Sequence, residues 1–130
     1  MSKSKGNKFE LMVFKDLRQY NPILKRTIGS GSSEDDADLV DDRFIIECKH
    51  HRELTQSQLN KFWKKLIEEA YKQKKTPVLV YKENNKPIKV ITWAIPYGNL
   101  HPEVDYVMVT IDYEIWKKVC YVPSMESKDG

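Results

Sequence analysis

A capped helix set between two apolar runs constrains this chain more than any other feature. Thr55-Gln56-Ser57-Gln58 has the Thr-x-x-Gln form of a capping box, in which hydroxyl and amide side chains satisfy the free amides of a helix start. Behind it Leu59, Phe62, Trp63, Leu66, Ile67, Ala70 and Tyr71 recur at helical spacing until Thr76-Pro77 breaks the run. Residues 44–49 precede this helix and residues 78–81 follow it, and both read as short strands. Strand, long helix and strand imply a crossover, so the sheet is mixed rather than purely antiparallel. Residues 38–40 pair with 44–49 as a hairpin around Asp41-Asp42-Arg43. Asn84-Asn85-Lys86 turns the chain into a strand over 88–95, ended by Pro96 and Gly98, and residues 106–111 add another. The expected class is α/β, with a central mixed sheet flanked by helices.

The ends of the chain follow from similar signals. Residues 9–20 read as a helix with Val13, Phe14 and Leu17 on one face, and Glu10 is stacked on that same face. An acidic residue in a first turn is also what the helix dipole favours. Pro22 stops the helix, residues 23–28 read as a strand, and Gly29-Ser30-Gly31-Ser32-Ser33 forms a loop. Asp112 is placed to cap a short helix carrying Ile115, Trp116 and Val119. Trp63, Trp93 and Trp116 read as core or interface residues, an exposed one being able to stack on a base. The 130 residues suit one domain over 1–123, with polar residues 124–130 as a disordered tail.

Composition narrows the function classes. No apolar run is long enough to span a membrane and no apolar signal segment leads the chain, so a cytoplasmic protein is expected. Cys48 and Cys120 have neither zinc spacing nor a disulfide framework around them and read as free thiols. The net charge of +3 is modest, but its distribution is uneven. Glu34, Asp35, Asp36, Asp38, Asp41 and Asp42 are expected to crowd around a metal site whose cation would offset part of their charge, while Lys3, Lys5, Lys8, Lys25, Arg26, His50, His51 and Arg52 form the patches expected of a phosphate-contacting surface. Adjacent His50 and His51 point to opposite faces of a strand, which makes them poor joint metal ligands.

The chemistry concentrates in the hairpin. Asp38 on one strand and Glu47 and Lys49 on the next bring two carboxylates and a lysine together beside apolar neighbours. Glu47 and Lys49 are two apart and share a strand face, which an ordinary exposed charge pair would also do. Hard divalent cations take oxygen ligands from one or two carboxylates, substrate phosphate and water, and a nearby lysine helps to activate an attacking water. This grouping points to a metal-dependent nuclease.

The order Glu10, Gly29-Ser30-Gly31-Ser32, Asp38, Glu47-Cys48-Lys49 and Gln58 resembles the PD-(D/E)xK nuclease superfamily, and within it the Holliday junction resolvases of the archaeal type and their viral and prophage relatives. The resemblance covers the first two thirds of the chain. Ala37 stands where the superfamily has its eponymous proline, a residue that shapes backbone and ligates nothing. The resemblance implies a restriction-endonuclease-like fold and a magnesium cofactor, with manganese able to substitute. It implies metal ligation by Asp38, Glu47 and the Cys48 carbonyl, with Glu10 direct or water-mediated, and catalysis by Glu10, Asp38, Glu47 and Lys49. For DNA contacts it implies Arg26 and Ser30 around the glycine loop and Gln58, the last being equally able to serve the helix cap; Ser32 of the same loop and His50 and Arg52 of the basic patch are the further candidates.

The expected activity is therefore that of a structure-selective endonuclease. It would act as a homodimer on four-way DNA junctions in the cytoplasm, the host cytoplasm if viral, leaving 5'-phosphate and 3'-hydroxyl ends. Alternatives are a nicking or branch-cleaving nuclease of a virus or mobile element, and a non-catalytic DNA-binding protein on the nuclease fold.

Overall fold

The computed structural model describes residues 2–27, 38–94 and 108–126. In chain order the elements are α1 (Ser2–Arg18), β1 (Lys25–Arg26), β2 (Leu39–Val40), β3 (Phe44–His51), α2 (Gln56–Gln73), β4 (Thr76–Glu83), β5 (Lys89–Trp93) and β6 (Met108–Asp112). A final helical segment is continuous from α3 (Tyr113–Trp116) through a π-helical turn (Lys117–Tyr121) to α4 (Val122–Glu126). The described strands form one sheet in the order β1-β2-β3-β4-β5-β6. β3 and β4 are parallel and every other pair is antiparallel, so α2 is the expected crossover and the sheet is mixed. This central mixed sheet with helices against both faces is the α/β arrangement expected. Among the described residues no helix is long and apolar enough to cross a membrane.

β3 and β4 lie in the middle and bury both faces, which explains their near-continuous apolar runs. Phe44, Ile46, Cys48, Val78, Val80 and Val90 pack on α1 and the C-terminal helix. Ile45, Leu79, Tyr81, Ile91 and Trp93 face the other way, against Leu59, Trp63, Leu66 and Ala70 of α2. Thus β3 alternates strictly, and His50 touches the Phe9 ring of α1 while His51 touches Phe62 of α2. The capping box at Thr55 is fully made, and Lys74 closes the helix in the left-handed region at φ 57°.

Several boundaries differ from the sequence expectation. α1 starts seven residues before Phe9; its first turns carry no apolar stripe, and extending a formed helix costs far less than starting one. Among the described residues β1 spans only Lys25 and Arg26, which pair with β2, and Ile23 is exposed; Ile28 lies outside the described residues. Asp112 sits at the N-cap position, but its carboxylate accepts from Lys89 Nζ at 2.6 Å instead of capping. Residues 124–126, assigned to a tail on composition, are helical: Ser124 Oγ donates to the Tyr121 carbonyl at 2.7 Å and Met125 packs on the core. Pro123 has no N–H for a helix bond, and a wide π turn precedes it.

Asp41 is a further correction. Rather than joining an acidic crowd at a metal site, it is buried in the β2–β3 turn, at the opposite end of the hairpin from Asp38. Its Oδ1 accepts from the Arg43 and Phe44 amides at 2.7 Å each. Its Oδ2 accepts from Asn21 Nδ2 at 2.7 Å and Tyr121 OH at 3.2 Å. The turn, the end of α1 and the C-terminal helix are thereby tied together. A second tie joins Asp16 of α1 to Tyr113 OH at 2.6 Å and to the buried Lys117 Nζ at 2.7 Å.

Candidate active site

The site forms where the β2–β3 hairpin ends. Leu39 pairs with Ile46 and Val40 with Ile45, and continuing that register by one residue sets Asp38 opposite Glu47. β2 stops there, and the Asp38 carboxylate takes over as acceptor, its Oδ2 receiving the Cys48 N–H at 2.7 Å. In a strand the C=O of a residue leaves on the same side as its N–H, so the Cys48 carbonyl is also directed toward the Asp38 edge. The Cys48 sulfur is on the α1 side, in the core. Burial first, and then the charges of Asp38 and Glu47, push its thiol well above the ordinary range, so it is not a thiolate ligand.

Glu47 and Lys49 project on the α2 side, with Lys49 Nζ 3.3 Å from Glu47 Oε2. Glu10, half-buried on the α1 face that carries Val13 and Leu17, accepts from Arg26 Nε at 2.9 Å. The Asp38 carboxyl is pushed up to about 8, by burial first and then by the Glu47 charge, with Glu10 adding to it while the Cys48 amide and Lys49 oppose. Burial likewise raises Glu47, against the pull of Lys49. Two half-buried acids that each resist ionisation beside one another are what a bound cation would relieve. Their donors are all oxygens, which suits a hard divalent ion.

Among the described residues no three His, Cys, Asp or Glu side chains are grouped to hold a metal ion. The acidic pair Asp38 and Glu47 therefore stands with Glu10 nearby, turned to Arg26, rather than forming a three-carboxylate cage. A magnesium site is compatible with that, since magnesium is usually bound through one or two carboxylates and keeps several waters.

The other expected residues are more dispersed. Ser30 and Ser32 lie outside the described residues. Arg52 is exposed just past β3, and Gln58 uses its carbonyl oxygen to accept from the Thr55 amide at 2.9 Å, completing the cap. His50 remains half-buried on the α1 side. Two α2 residues were missed. Phe62 was read as core stripe, yet Lys49 Nζ lies 4.5 Å from its ring centroid. Lys65, one turn further along α2, carries a charge that lowers the proton affinity of Glu47. The available signal was spacing: Gln58, Phe62 and Lys65 are four and three apart, on one side of the helix.

Over residues 1–122 the sequence matches the family described as "Phage putative PDDEXK endonuclease". The chain belongs to that family. A search of curated proteins found no match. Among solved structures, that of Archaeoglobus fulgidus Hjc, a Holliday junction resolvase from an archaeal hyperthermophile, is similar at a TM-score of 0.47 and 19% identity. The alignment covers 93% of this chain and 98% of that one.

Proposed function

We propose that this PDDEXK family member is a magnesium-dependent endonuclease that hydrolyses DNA phosphodiester bonds, with four-way junctions as its preferred substrate and a homodimer as its working form. The observation that carries the hydrolase reading is the meeting of Asp38, Glu47 and Lys49 at the end of one hairpin, with both acids half-buried. Asp38, Glu47 and the Cys48 carbonyl would hold the metal, and Glu10, braced by Arg26, would act through water. When bound, magnesium, or manganese in its place, supplies Lewis-acid polarisation of the phosphate and a water of lowered pKa. Lys49 orients the attacking water and offsets negative charge developing on the phosphorane-like transition state. Arg26, Ser30, Ser32, His50, Arg52 and Gln58 supply contacts to the DNA backbone, and the products carry 5'-phosphate and 3'-hydroxyl ends.

The dimer reading draws on apolar surface. Trp93 and Trp116, candidates for an interface on sequence, are spent on the monomer core. Ile115 and Val119 of the C-terminal helical segment and Met108 of β6 remain exposed, and β6 is an edge strand among the described residues. A two-fold pair would present two copies of the site to one junction. The deciding experiment incubates purified protein with labelled four-way, flap, duplex and single-stranded DNA, with and without magnesium. Magnesium-dependent cutting of the junction ahead of the others is expected. Equal cutting of flap or duplex would favour the nicking or branch-cleaving alternative, and binding without cutting in magnesium or manganese would favour the non-catalytic one.

A further inference from the structure

A lysine that serves a reacting phosphate carries its charge on a flexible four-carbon stem, so it must be held from more than one side to stay aimed. In this chain one side is Glu47, whose Oε2 lies 3.3 Å from Lys49 Nζ. The other side is α2. Lys49 Nζ lies 4.5 Å from the centre of the Phe62 ring, inside the range in which an aromatic face attracts an ammonium. Phe62 is itself half-buried, packed on the α2-side core, with the His51 ring 5.9 Å away and tilted by 44°. We infer that Phe62 is a positioning residue for Lys49, its ring face and the Glu47 carboxylate holding the ammonium between them. The catalytic consequence rests on the nuclease reading above; the contact itself does not.

A packing role and a positioning role make different demands on the side chain. Leucine can fill much of the apolar space but has no π face, whereas tyrosine keeps the face. The test compares wild type, Phe62→Leu and Phe62→Tyr by three measurements: the NMR shifts of the Lys49 ε-methylene protons in metal-free protein, single-turnover cleavage with magnesium, and DNA affinity with melting temperature. The ring should move the Lys49 resonances upfield in wild type and Phe62→Tyr, and that displacement should vanish in Phe62→Leu. Cleavage by Phe62→Leu should fall by roughly 5- to 10-fold, the equivalent of about 1 kcal/mol of lost cation–π attraction, at unchanged DNA affinity and with the melting temperature lowered by only a few degrees, so that the protein stays folded in the assay. Phe62→Tyr should stay within about twofold of wild type. Undisplaced Lys49 resonances in wild type, wild-type cleavage by Phe62→Leu, or an equal loss in Phe62→Tyr would each overturn the inference. Displaced resonances in a wild type that cuts no DNA would sink the nuclease reading and support the contact.

Discussion

Asp38, Glu47 and Lys49 could be read from the sequence because a strand has a period of two and a short hairpin sets opposite residues side by side. Their burial could not be read, and burial is what raises the proton affinity of both acids. Asp38→Asn, Glu47→Gln and Lys49→Ala should each slow cleavage by about 100-fold or more while leaving DNA binding within a fewfold, because the wider phosphate-contacting surface is untouched. Gel cleavage and binding assays check this, and full cutting by any of the three would remove it from the site. The contact between Phe62 and Lys49 was not legible, since an aromatic at helical spacing fits a core stripe equally well. Asp41 was misleading for the opposite reason. Charge counts group neighbours in sequence, whereas a hairpin sends the two ends of an acidic run in different directions.

The β2–β3 hairpin contributes only two paired residues from β2, so its geometry depends on what grips the turn. Asp41 supplies that grip, accepting two backbone amides, the Asn21 amide and the Tyr121 hydroxyl. Asp41→Ala would strand these buried donors and should cost about 2–4 kcal/mol, whereas Tyr121→Phe should cost about 1 kcal/mol. Chemical denaturation of the two variants measures both, and an Asp41→Ala protein as stable as wild type would show that the turn holds without it. Asp112 illustrates why a cap residue type is insufficient evidence of a cap. β5 pairs with β6 so that Lys89 stands opposite Asp112, and the 2.6 Å ion pair claims the carboxylate. Both side chains are more than a third exposed, so this pair adds little stability.

For the molecule as a whole, the metal proposal makes a prediction that needs no turnover. Magnesium at tenfold excess over its Kd should stabilise by about 1.4 kcal/mol, raising the melting temperature by about 4–6 °C. Asp38 is raised from 3.8 to about 8, so in metal-free protein its contribution to stability is present below about pH 4 and lost as pH rises through about 8. Magnesium takes the place of that proton, and its stabilisation should therefore be larger at pH 8 than at pH 6. Asp38→Asn should abolish most of the shift. A wild-type melting curve indifferent to magnesium and manganese at both pH values would refute the metal site. The assembly proposal predicts a dimer mass by light scattering, with junction affinity that weakens as salt rises while the preference over duplex survives, because shape rather than charge distinguishes the two DNAs. A monomer binding both equally would leave only the simpler nuclease reading.

Local information in the sequence determined which segments are helix or strand over most of the described chain, that α2 crosses between parallel strands, and that Asp38, Glu47 and Lys49 meet at one hairpin. Those properties follow from periodicity, caps and turns, each contained within a few residues. Tertiary structure decided the rest: that Asp38 replaces a strand partner for the Cys48 amide, that Glu10 leans on Arg26 from another element, and that Phe62 of α2 stands over Lys49 of β3. Each of these joins residues 10 or more positions apart. Their spacing along the chain says nothing of distance until the sheet closes; packing then sets which groups lose water, and the loss of water sets their charge.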